Sequence, residues 1–206
     1  MARAARYVPE NGYLHVMCRG NNRRKVFLKP KDYKFYLWLA GKFKLEEAVK
    51  IIHYCLMPNH AHFLLGVMPE SNLASFMKRL NLIYFFNYRK RRDYVGHLWQ
   101  GRYKGKIIEK DDYFIGCGKY IEMNPVRAGL CDQPEEYPYS SYMYYAYGKE
   151  DDLLDEDPFY AGFGATAQER QAVYRRIVSD EDVARKMSFR KFMNDKELED
   201  EGASLL

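Results

Sequence analysis

Residues Lys50 to Val67 read "KIIHYCLMPNHAHFLLGV". Two apolar runs flank Met57-Pro58-Asn59, a short turn signal, so Lys50–Leu56 and His60–Val67 are expected to form the arms of an antiparallel hairpin. On a strand, residues i and i+2 point to one side. His60 and His62 therefore share a face, with backbones roughly 6.6–7 Å apart at about 3.3 Å per residue. Neutral imidazole is a common metal ligand, although a lone His-x-His pair is more often packed or surface-exposed than metal-bound. Phe63, Leu65 and Val67 alternate with Leu64 and Gly66, so both faces of this strand call for cover.

Outward from the hairpin the periodicities continue. Tyr13–Arg19 reads as a first strand, followed by a basic turn, Arg19-Gly20-Asn21-Asn22-Arg23-Arg24. Phe35, Trp38, Leu39 and Phe43 recur at helical spacing and predict a helix over Lys31–Val49. Ser71 is the expected N-cap of a second helix running to about Arg91. Gly96–Ile108 reads as a long fourth strand, and Asp111 or Asp112 as the cap of a third helix that Pro125 must end. The order β-α-β-β-α-β-α gives an α+β, ferredoxin-like (RRM-like) antiparallel sheet with helices packed on one face. The other face is expected to stay free, where such sheets often take single-stranded nucleic acid. Three regions follow: a ferredoxin-like domain over 1–131, a wrapping segment over 132–149, and an acidic linker with a helical C-terminal extension over 150–206. Short helices are expected at Thr166–Val178 and Glu181–Met193.

Composition narrows the class. At 206 residues and 47% hydrophobic content the chain can bury a core. It has no apolar run long enough to cross a membrane and no apolar centre of a leader, so a cytoplasmic protein is expected. Cys18, Cys55, Cys117 and Cys131 form no CxxC pair, which points to reduced thiols rather than a zinc site. Residues 1–130 carry 24 Lys/Arg against 10 Asp/Glu, whereas residues 131–206 carry 9 against 18. A basic body suits a polyanion, and 19 tyrosines and 12 phenylalanines offer planes for unpaired bases.

The third helix carries "YIEMNPVRAGL". Tyr120 and Asn124, four apart, share one face of it, and Asn124 stands at the helix end where its side-chain oxygen can reach outward. A core tyrosine and an ordinary Asn-Pro helix stop would read the same way. Together, "MPNHAHFLL", "GHLWQGRYK" and "YIEMNPVRAGL", in this order and at this spacing, resemble the REP-associated tyrosine transposases. These belong to the single-tyrosine HUH transposases acting on single-stranded DNA. The likeness spans about Tyr13 to Tyr147; Ala61 stands where the motif has a bulkier apolar residue.

The resemblance implies that His60, His62 and Asn124 hold Mg²⁺ or Mn²⁺ and that Tyr120 is the nucleophile. Imidazole favours Mn²⁺ over the oxygen-seeking Mg²⁺. The implied reaction cuts and rejoins single-stranded DNA flanked by a hairpin, through a 5′-phosphotyrosine. A phenol with an ordinary pKa near 10 needs activation; Lys104 and Lys119 are candidates to supply positive charge. For DNA contact the candidates are Arg19, Asn21 and Arg23 in the first turn, Lys78, Arg79, Arg89, Arg91 and Arg92 on the second helix, and Trp99, Arg102 and Lys104 on the fourth strand. Two other readings stay open: a non-catalytic single-strand-binding module on the same sheet, and a replication initiator or relaxase, for which Tyr113, two turns before Tyr120, would be a second tyrosine. A homodimer is also left open.

Overall fold

The computed structural model describes residues 8–108 and 111–179. The side chains of Asp111, Asp112 and Tyr113 and the helix expected over 181–193 lie outside the described residues. Strands β1 (Gly12–Arg19), β2 (Lys50–Met57), β3 (His60–Val67) and β4 (Lys104–Ile108) form one sheet in the order β2-β3-β1-β4. All three pairings are antiparallel. This is the split-βαβ arrangement, with β3 inserted between β1 and β2. The hairpin forms where expected, Met57 pairing with His60 across the Pro58-Asn59 turn.

Helix α1 (Pro30–Glu46) begins with proline in its first turn, and the Asp32 carboxylate accepts from the Leu28 and Lys29 amides. Helix α2 (Leu73–Arg92) is capped by Asn72, whose side chain accepts from the Ser75 amide, one residue beyond the expected Ser71. Both helices cover the sheet face that presents Val16, Ile51, Leu56, Phe63 and Leu65. The other face is not free. Helix α3 (Asp111–Glu122) packs Phe114, Cys117, Tyr120 and Ile121 on Ile52, Cys55 and Leu64. The physical reason lies in β2 and β3, which are apolar on both sides and must be covered on both. Among the described residues this face opens toward β4, where Lys104 is exposed and Lys106 half-exposed.

The fourth strand is shorter than expected. Gly96 and Gly101 adopt φ of 103° and 86°, conformations that break an extended run. Residues 96–103 instead cross the end of β1: the Asn21 amide donates to Leu98 O, the Gln100 amide to Arg19 O, and Trp99 bridges to Gly20.

After the four-residue helix α4 (Asn124–Arg127), residues 137–141 run along the outer edge of β2. The Leu56 amide donates to Tyr139 O and the Ser141 amide to Tyr54 O, which closes an edge that would otherwise offer open backbone groups. Helices α5 (Tyr142–Tyr147) and α6 (Ala167–Ser179) pack together through Tyr142, Tyr145, Tyr174 and Val178. The acidic stretch read as a linker is anchored. Asp151 accepts from Tyr54 OH at 2.7 Å, Asp155 from Lys44 Nζ at 2.9 Å and the Ile51 amide at 2.7 Å. Asp157 meets His53 Nε2 at 3.3 Å.

His53 explains a glycine in α3. Its ring lies between Glu122 Oε1, 2.9 Å from Nδ1, and Asp157. A Cβ on Gly118 would come within 2.7 Å of His53 Nε2. The ring is held at both nitrogens and cannot yield. Gly118→Ala should therefore destabilise by about 1–3 kcal/mol through overpacking, despite the roughly 1 kcal/mol that alanine gains over glycine in a helix. Thermal unfolding checks this; a higher Tm in the variant would show that the ring gives way.

Candidate active site

Alternation along β1 puts Tyr13, His15, Met17 and Arg19 on the face that carries His60, His62 and Leu64, because Arg19 pairs with His60 and Met17 with His62. Tyr120, projecting from α3, comes down on these imidazoles. Its ring lies edge-on to His62 at 5.9 Å and to His15 at 5.8 Å between centroids. His60 and His62 lie 4.7 Å apart with their planes at 83°. The sheet thus brings together the two histidines expected as ligands, the expected nucleophile, and a third histidine that sequence reasoning did not assign.

Each ligand candidate has its Nδ1 occupied. His60 Nδ1 is 2.5 Å from Asn59 Oδ1, and since an amide oxygen only accepts, Nδ1 carries the proton. His60 Nε2 is then a lone pair, fully buried, with no hydrogen-bond partner among the described residues. His62 Nδ1 is 2.8 Å from His15 Nε2. Burial, then the positive charge of Arg19 and the neighbouring His15, holds the His60 pKa down at about 3. Burial first, then His60, His15, Arg19 and Arg127, keeps His62 well below the usual imidazole range. Burial and Lys106 bring His15 to about 3. All three rings are neutral near pH 7, the form a metal requires.

Asn124 is buried one turn past Tyr120, and its Nδ2 donates to the carbonyls of Tyr120 (3.0 Å) and Ile121 (3.2 Å). These bonds occupy Nδ2, and Oδ1 is the side chain's only group able to ligate. Arg127 braces the tyrosine: its guanidinium carbon sits 4.7 Å from the ring centroid and Nη1 donates to Tyr120 O at 3.1 Å. An orphaned buried imidazole nitrogen beside a second imidazole suits a divalent cation, and Asn124 is the residue expected to add an amide oxygen to that pair. Among the described residues no three His, Cys, Asp or Glu side chains converge as a metal cluster.

The expected DNA contacts divide. Asn21, Lys78, Trp99 and Arg102, from three separate segments, line one groove of about 1100 Å³ beside α2, with Phe85 and Tyr103 on its wall. Trp99 also packs against Phe27, Tyr36 and Tyr84, and its indole N–H donates to Asn81 O, so only part of the ring faces the groove. Lys104 opens β4 on the histidine side of the sheet, and Arg19 ends β1 beside His60. Arg23 has φ of 54° in the turn after β1, and Arg89 is exposed at the end of α2. The structure does not bring Arg79, Arg91 and Arg92 to the groove. Arg79 pairs with Glu46 and Glu47, while Arg91 and Arg92 pair with buried Asp32 at 2.8 and 2.7 Å. Lys119 Nζ donates to Ile177 O on α6 at 2.9 Å.

Comparison with known proteins gives the family and the fold. The family model described as Transposase IS200 like matches residues 9–124, more than half of the sequence, and the chain belongs to that family of DNA-cleaving enzymes. A solved structure of a REP-associated tyrosine transposase bound to a REP hairpin is similar, with a TM-score of 0.60 at 20% identity over 76% of this chain and 93% of that one. The two share a fold. A Deinococcus radiodurans R1 protein described as a candidate transposase aligns with a TM-score of 0.41 at 17% identity, over 53% of this chain and 88% of that one. No curated protein sequence matches the chain. No helix of the described residues is long and apolar enough to cross a membrane.

Proposed function

We propose that this chain is a metal-dependent DNA strand transferase that cuts and rejoins single-stranded DNA beside a hairpin, with Tyr120 as nucleophile. The observation that carries the reading is the seating of the Tyr120 ring within 6 Å of the His62 ring centroid, next to an orphaned His60 nitrogen. In the forward step Tyr120 gives up its phenolic proton to solvent and attacks phosphorus as phenolate. A Tyr–O–P bond forms to the 5′ side, the P–O3′ bond breaks, and the 3′ oxygen leaves as a hydroxyl after taking a proton. Rejoining reverses this, and the covalent link conserves the bond energy, so no nucleotide triphosphate is needed.

His60, His62 and Asn124 would hold Mg²⁺ or Mn²⁺. When bound, the cation polarises a phosphoryl oxygen and offsets the charge that builds there. Arg127 keeps the tyrosine ring in place, and the groove lined by Asn21, Lys78, Trp99 and Arg102 offers cations and aromatic surface to the strand. The hairpin is carried over from the similar structure, which is bound to one. A cytoplasmic enzyme acting as a monomer or a homodimer fits this reading.

The test incubates the protein with single-stranded DNA containing a hairpin. An SDS-resistant adduct should form with Mn²⁺, at least as fast as with Mg²⁺, vanish with EDTA, and map by mass spectrometry to the peptide containing Tyr120. Tight DNA binding without any adduct would leave only a single-strand-binding module. An adduct mapping to Tyr113 would favour the initiator or relaxase reading.

A further inference from the structure

The third histidine has no part in the step just described. His15 lies diagonally across the β1–β3 ladder from His62, since Leu64 is its direct partner. His15 Nε2 and His62 Nδ1 are 2.8 Å apart, the rings are tilted by only 10° with centroids 5.1 Å apart, and the two residues are 2% and 0% exposed. The other edge of the cluster is closed by Tyr120, 5.8 Å away. A hydrogen bond between two neutral imidazoles needs one N–H and one lone pair. If His15 donates, His62 carries its proton on Nε2 and cannot ligate. If His62 donates from Nδ1, its Nε2 is a bare lone pair. The neighbouring His60 already has the second arrangement, imposed by Asn59 Oδ1.

We propose that His15 is a positioning residue: it accepts the Nδ1–H of His62 and so holds His62 Nε2 unprotonated and oriented for the cation. This rests on the metal-dependent reading above. It also makes His15 something other than a third ligand. With Nε2 accepting, neutral His15 carries its proton on Nδ1, and neither nitrogen is left to ligate. The same logic recurs in metalloproteins, where the non-ligating nitrogen of a metal-bound histidine donates to a fixed acceptor.

The test uses the full chain and two variants. His15→Gln places an amide oxygen at the reach of Nε2 and keeps an acceptor; His15→Leu keeps bulk and removes it. In the metal-free wild type, two-bond ¹H–¹⁵N spectra should show His62 as the Nδ1–H tautomer. That form should persist in His15→Gln and be lost or mixed in His15→Leu. Mn²⁺ affinity, read by EPR of the free ion, should fall about 10–100-fold in His15→Leu and stay within about threefold of wild type in His15→Gln. If His15→Leu does not fold, the wild-type tautomer and the glutamine variant still decide the matter. Finding His62 as the Nε2–H tautomer in the wild type overturns the proposal, as does unchanged Mn²⁺ affinity in His15→Leu. Metal-induced shifts at a His15 nitrogen would overturn it in favour of direct ligation. Failure of the wild type to bind Mn²⁺ at all would instead overturn the metal-dependent reading itself.

Discussion

Tyr120→Phe should eliminate the covalent adduct while leaving DNA binding within about twofold of wild type. Only the hydroxyl is lost. The ring contacts to His15, His62 and Arg127 are made by the aromatic plane and edge, which phenylalanine keeps. At 5% exposure the side chain offers little surface to the strand, so affinity should not depend on its hydroxyl. Removing a covalent nucleophile costs on the order of 10⁴–10⁶ in rate, which takes adduct formation below detection on a gel. The fold should be intact, checked by circular dichroism and thermal unfolding. Undiminished adduct in the phenylalanine variant would place the nucleophile on another residue.

A loss of stability of about 3–5 kcal/mol is expected for His53→Ala, because removing one partner of a buried ion pair strands the other in a dry interior. For a chain of this size that lowers Tm by roughly 6–20 °C. Burial by itself would push the His53 pKa down; hydrogen bonds from the ring to Asp157 and Glu122, with their negative charges, more than reverse it and bring it up to about 9. The folded value thus lies above the ordinary unfolded value near 6.5. The His53 contribution to stability is full below about pH 6.5, declines between there and about pH 9, and is gone above. Wild-type Tm should fall across that window, and His53→Gln should flatten the fall. An equal slope in both proteins would mean that the His53 cation contributes nothing to folding.

Much of the sheet was readable locally. The hairpin rested on a turn signal between two apolar runs; Tyr120 and Asn124 stand one turn apart as expected, but α3 already ends at Glu122, and Pro125 lies in the first turn of α4 instead of ending the third helix. His15 was hidden for a different reason. Its place beside His62 depends on the β1–β3 register, a pairing of residues 47 apart that no local pattern reports. The alternation of Tyr13, His15, Met17 and Arg19 was the available signal, since it puts an imidazole on whichever face β1 shares with its neighbours. The fourth strand begins at Lys104 rather than Gly96 because Gly96 and Gly101 take positive φ that interrupts an extended run. Basic side chains were the least legible. The sequence shows the charges of Arg79, Arg91 and Arg92, but the carboxylates that neutralise them sit on or beside α1, more than 30 residues away. Lys119 meets a carbonyl 58 residues on.

Glu122 is two residues from the proposed nucleophile, and its carboxylate accepts from Ser141 Oγ at 2.5 Å and from Tyr174 OH of α6 at 2.7 Å, as well as meeting His53. The far end of the described chain is therefore wired into the helix that carries the proposed nucleophile. Cutting the protein after residue 131 would leave His53 and Glu122 paired with each other but without Asp157, Ser141 and Tyr174, and would bare the side of α3 that these residues cover. Such a fragment should behave as a loosened, easily proteolysed species rather than as a minimal enzyme.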